Sequence, residues 1–150
     1  AIILSSIILA IALGVSNITL KELTFSTSGV ATNDAFFASD TGEECALDND
    51  KASGTNFPII VDPAVPPTSI TCANKSIPLS FSGTPTTANY SFIVTGLGSS
   101  SQSCVKINVF KDNSAPPMKT SIIAKGYNIG DSSCNSTNTN RVERELHVDY

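Results

Sequence analysis

Four cysteines and a single histidine are the side chains of this 150-residue chain best suited to chemistry, and their spacing limits what they can do. Cys45, Cys72, Cys104 and Cys134 stand far apart, with no C-x-x-C pair and no Cys/His spacing of a zinc site. An even number of separated cysteines points to two disulfides formed in an oxidising compartment. The competing reading is four reduced, buried thiols. Three connectivities are open. Pairing Cys45 with Cys72 would pin a proline-rich loop to the N-terminal helix, and pairing Cys104 with Cys134 would staple neighbouring strands.

The remaining polar groups offer little catalysis. His147 lies in the last run of alternating residues, where a solvent-facing side chain is the plain reading. Asp40, Glu43 and Glu44 have the spacing of paired carboxylates, yet a solvated helix face accounts for them equally well. The GLGSSS run at 96–101 follows a strand pattern as a phosphate loop would, but no Lys follows and no helix pattern begins there. Asp131 and Asn135 suggest at most weak calcium binding. Asn74, Asn89 and Asn135 each begin an Asn-X-Ser/Thr triplet and mark polar loops. No catalytic residue, cofactor or metal ligand is assigned, and the chain reads as a non-enzyme.

Composition agrees with export. Charged residues make up 15% of the chain, against roughly 25% in ordinary soluble domains. Ser, Thr and Asn fill the difference, as in TGLGSSSQS and DSSCNSTNTN. Nine Lys+Arg against thirteen Asp+Glu give a net charge of −4. No basic cluster occurs, which disfavours a nucleic-acid site on a single copy.

The elements that must carry these residues divide at about residue 50. Residues 1–20, AIILSSIILAIALGVSNITL, contain no charge before Lys21. As a helix rising 1.5 Å per residue they would span about 30 Å, the thickness of a bilayer's hydrocarbon core. A membrane or filament-core segment is expected, built on Ile2, Ile3, Leu4, Ile7, Ile8, Leu9, Ile11, Leu13, Gly14, Val15, Ile18 and Leu20. The absence of a basic n-region argues against an uncleaved signal peptide. The helix continues to about residue 50 with Leu23, Ala31, Ala35, Ala38 and Ala46 as its apolar positions. Asn33 or Asp34 is placed to cap a fresh helical segment, and 24–32 has poor helix propensity.

Residues 51–150 read as a disulfide-bonded, β-rich head. Five prolines make 56–78 loop-like and exclude an interior helix or a central strand there. Alternating runs at 77–82, 90–95, 105–110, 120–127 and 142–148 predict an antiparallel meander with one face on the helix. The expected fold class is α+β: a long N-terminal helix with an apolar stem, packed on a small antiparallel sheet.

Two stretches carry a family resemblance. AFFASDTGEECAL at 35–47 looks like the helix segment AFYAADSGIECAL of pilin-like proteins, and Gly126, Tyr127 and Asn128 followed by 141–144 are similar to their GYN…RRVER pattern. The chain thus resembles the type IV pilins and pseudopilins over its first and last thirds. The resemblance implies an extracellular pilus-like filament built of copies of this chain, serving adhesion, motility or DNA uptake. It also implies residence in the inner membrane before assembly, and an assembly machinery as partner. The alternatives are a membrane-anchored receptor or adhesin that does not polymerise, and a minor or secretion-system pseudopilin. Ala1 and Ser5 stand where most major pilins carry an aromatic residue and a glutamate; either the numbering is offset from the mature end or the subunit lacks that register-setting pair, as some minor pilins do.

Overall fold

The computed structural model describes residues 2–51, 56–60 and 65–150. Within the helix, side chains are described at Leu9, Ile11, Val15, Lys21 and Glu22, and continuously over the last 27 residues, 25–51. One helix, α1 (Ile2–Lys51), is followed by seven strands: β1 (Ser69–Cys72), β2 (Lys75–Pro78), β3 (Ser80–Gly83), β4 (Thr87–Leu97), β5 (Ser103–Asp112), β6 (Lys119–Tyr127) and β7 (Glu143–Asp149). Strands β3 to β7 form a five-stranded antiparallel sheet in chain order, and β1 and β2 pair as a separate hairpin.

The α+β expectation with an apolar stem is corrected here. The architecture is mostly β, and among the described residues no helix is long and apolar enough to cross a membrane. The physical reason is visible from residue 25 onward. Asp34, Asp40, Glu43, Glu44, Asp48, Asp50 and Lys51 put seven ionisable groups into the continuously described part of α1, and each would be expensive in hydrocarbon. Nor does a fresh helical segment begin at Asn33 or Asp34, since α1 runs unbroken through both and through 24–32. Tertiary packing of the turns that follow, from Ala35 onward, offsets their weak propensity.

Two features seat the helix on the sheet. Ala35, Ala38, Ser39, Gly42, Cys45, Ala46 and Asn49 recur at intervals of three and four, form one side of α1 and are buried. They are small, so the backbones approach closely. A Cβ on Gly126 of β6 would collide with the Ala35 carbonyl oxygen and the Ser39 nitrogen, and one on Gly42 would lie 2.7 Å from Val105 Cγ2. The sheet answers with its inward side chains, Val105, Ile107 and Val109 from β5 and Ile122 and Ala124 from β6. Beyond the helix the core is aromatic. Phe57 packs on Tyr90 and Phe92 at centroid distances of 5.3 and 6.1 Å, and the Tyr90 hydroxyl donates to the Pro58 carbonyl. Burial pushes that hydroxyl's pKa up to about 12.

The strand reading needs two amendments. The run at 77–82 is not one strand, because Pro78 ends β2 and Ser80 opens β3 in the other sheet, with the Leu79 N–H donating to the Thr68 carbonyl between them. Strand β1 lies inside the stretch read as loop, at 69–72, after its last internal proline. In β7, Leu146 and Val148 are half-buried while Glu145, His147 and Asp149 are exposed, as a period of two dictates.

Candidate functional site

The side of α1 turned away from the sheet is the most unusual surface of the molecule. Phe25 is 84% exposed and Phe37 61%, with Val30 and Phe36 exposed beside them. Phe25 and Phe36 are eleven residues apart, three turns of helix, so they share a stripe, and Val30 and Phe37, seven apart, line the next. Phe36 and Phe37 meet edge to face at 6.0 Å. Farther toward the N-terminus Leu9, Ile11 and Val15 are also exposed. This helix therefore has its smallest apolar residues against its own sheet and its largest on the outside.

Of the expected filament-core residues, Leu9, Ile11 and Val15 are described and exposed. Ile2, Ile3, Leu4, Ile7, Ile8, Leu13, Gly14, Ile18 and Leu20 belong to α1, and their side chains lie outside the described residues.

The apolar stretch gives way to acid along the same outer side. Asp40, Glu44 and Asp48 follow Phe36 and Phe37 at intervals of four, with Glu43 at their flank. Partial burial and the neighbouring Asp40 and Glu44 charges raise the Glu43 carboxyl above its usual range. Among the described residues no cation pairs with these four, since the recorded ion pairs are Lys111–Asp50, Lys125 with Glu143 and Glu145, and His147–Asp149. Lys51, on the last turn, stacks over the Tyr150 ring at 3.9 Å.

The cysteines pair as Cys45–Cys72, fixing hairpin β1–β2 to the helix, and Cys104–Cys134, fixing the loop before β7 to β5. Around the first bridge Asn49 donates to the Cys45 and Thr71 carbonyls and accepts from Asn56 Nδ2, which closes the helix end. Around the second, Arg141 Nη2 donates to the Cys134 carbonyl while its guanidinium covers the Tyr127 ring at 3.7 Å.

The candidate chemical residues do not assemble into a reaction centre. His147 Nε2 lies 2.8 Å from Ser121 Oγ and 3.0 Å from Asp149 Oδ1. Both contacts use one ring nitrogen, whereas a Ser-His-Asp relay needs one on each. Asp131 accepts the N–H groups of Ser133 and Asn135 on one oxygen, which holds its carboxyl below the usual range. No group of three metal-ligating side chains occurs among the described residues. Gly96, at the register shift within β4, and Gly98, in the β4–β5 turn, are both at positive φ.

One cluster escaped the sequence reading. Lys111 and Asp50 form a buried ion pair, and the Tyr150 hydroxyl donates to the other Asp50 oxygen at 2.7 Å. Burial, then the hydrogen bond and charge of Asp50, push the Tyr150 hydroxyl's pKa far up. A signal for Lys111 existed: it extends the inward series Val105, Ile107, Val109 by one more step of two.

No protein-family model, curated protein or solved structure matches this chain. The type IV pilin resemblance therefore rests on the residues quoted above.

Proposed function

We propose that this chain is a structural subunit of an extracellular, type IV pilus-like filament, in which copies pack side by side through the outer face of α1. The observation that carries this reading is the uncovered series Phe25, Val30, Phe36 and Phe37 on a helix whose opposite side is already occupied by the chain's own sheet. Burying one such side chain is worth roughly 1.5–3 kcal/mol. Four partly exposed ones supply several kcal/mol, and association itself consumes much of that. A single pair of copies is therefore weak, and a polymer that repeats the contact on every copy is the arrangement that uses it. The two disulfides and the Ser/Thr/Asn-rich loops support a location outside the cell. Because no described helix qualifies as a membrane span, the reading rests on packing between copies and not on insertion in lipid.

The test is imaging of material sheared from cells expressing the full chain, alongside the Phe25→Glu/Phe37→Glu variant. Fibres containing the wild-type chain are expected, and at least tenfold fewer with the variant. A wild-type chain that stays monomeric at all concentrations and in all fractions overturns the proposal.

A further inference from the structure

We infer that the folded chain closes an amide bond between Lys111 Nζ and Asp50 Cγ, releasing one water and tying the end of α1 to β5. The bond is a third covalent link beside the two disulfides, and it stands or falls independently of the filament reading. Until it closes, the two side chains form the buried ion pair described above.

The setting of the pair carries the argument. The Lys111 and Asp50 side chains are 3% and 4% exposed, whereas every member of the other ion pairs is at least 44% exposed. Lys111 Nζ is in contact with Asp50 Oδ1, yet that oxygen has no hydrogen-bond partner among the described residues. The two atoms touch without hydrogen-bond geometry. Asp50 is also the ammonium's one polar partner among the described residues, although an ammonium carries three donors. An amide nitrogen carries one. Closing the bond removes both buried charges, whose desolvation is the main cost of such a pair. Neither partner can drift away. Lys111 sits in the middle strand of the large sheet, beside Ala88 on β4 and Thr120 on β6. Asp50 lies on the last turn of α1, just beyond the Cys45–Cys72 bridge. Reacting groups held together on rigid elements gain a very high effective concentration.

The step needs no other reactant. Lys111 first passes one proton to Oδ1, giving a neutral amine and a neutral acid, the forms that burial favours. The amine lone pair then bonds to Cγ while the carbonyl electron pair moves onto Oδ2. That oxygen already accepts the Tyr150 hydroxyl at 2.7 Å, as an oxyanion accepts from a preorganised donor. Burial and Asp50 keep this hydroxyl protonated, and Lys51 over its ring holds it in place. A second proton passes from nitrogen to the Oδ1 hydroxyl, the Cγ–Oδ1 bond breaks with its electron pair on oxygen, and water leaves. The Oδ2 electrons return to make the amide carbonyl. One ammonium and one carboxylate have become one amide and one water.

Mass spectrometry of the full chain tests this. The wild type, folded with both disulfides formed and then reduced and denatured, should weigh one water less than its sequence. Proteolysis should release a branched peptide joining the segments around Asp50 and Lys111, with no cleavage after Lys111. Lys111→Arg keeps the charge but offers no nucleophilic amine, and it should show the full mass. In freshly synthesised chain followed from the onset of oxidative folding, Tyr150→Phe should close at least tenfold more slowly than wild type. The link from 50 to 111 overlaps both disulfide rings, so reduction should release less length from a closed chain than from one still holding the open ion pair. A wild-type chain that forms both disulfides, unfolds cooperatively and keeps its full mass after days overturns the inference. So does a loss of water that persists in Lys111→Arg. A Tyr150→Phe chain that closes at the wild-type rate overturns the part given to the hydroxyl.

Discussion

At the scale of single residues, the buried Asp50–Lys111 pair is the most consequential contact. An ion pair taken out of water holds only while both members are present, because either one alone is an uncompensated charge in a poor solvent. Lys111→Met should therefore destabilise the fold by about 3–5 kcal/mol in a urea titration, and adding Asp50→Asn should return most of that loss. Glu43 gives a pH prediction of opposite sense to the usual carboxylate. Its folded pKa is raised, so the folded state holds the proton more tightly, and stability is lost as pH rises through the raised value. Glu43→Gln should raise the melting temperature of the monomer at pH 7, and the advantage should vanish below about pH 4, where the unfolded carboxyl is protonated too. Asp131 behaves the other way, since its depressed pKa makes its contribution complete above the ordinary carboxylate value and lost as pH falls through the lower folded one. Amide protection factors at Ser133 and Asn135 should fall at acid pH, and Asp131→Ala should show the low factors throughout. At this scale the sequence was only partly readable. Asp131 was legible only as a weak calcium candidate, not as the acceptor of the Ser133 and Asn135 N–H groups, and the partner of Lys111 lies across the fold where no local spacing announces it.

At the scale of elements, close backbone approach and two covalent bridges hold the helix, the sheet and the hairpin together. Gly126→Ala should unseat α1, because the added carbon meets helix backbone that cannot swing aside. Overpacking of this kind typically costs about 1–3 kcal/mol, read as a lower denaturation midpoint with faster amide exchange in 35–42. Removing Cys104–Cys134, which closes a loop with a sequence separation of 30, should cost roughly 3–4 kcal/mol in the chain-entropy model. Alternation made β4 to β7 legible, since each buries one face and wets the other. Strand β1 was hidden by the prolines before it. The segment expected at residues 1–20 lies, for most of its side chains, outside the described residues. The outer phenylalanines were in plain view as letters. Only the position of the sheet tells which side of the helix is already covered.

At the scale of the whole molecule, the proposal is that a helix with two apolar sides joins one copy's sheet to the neighbouring copies' helices. Kosmotropic sulfate should then strengthen assembly through the apolar contact, and sedimentation in sodium sulfate against sodium chloride measures the gain. The paired cysteines have a mechanical corollary. Each bridge short-circuits the chain between its ends, over separations of 27 and 30 residues, so tension applied between the helix and β7 never reaches the peptide inside those rings. Pulled to breaking, an oxidised copy should lengthen by about 190–200 Å less than a reduced one, at 3.3–3.6 Å per extended residue. A fibre made of such units would stretch less before it snapped than the same fibre with its bridges reduced.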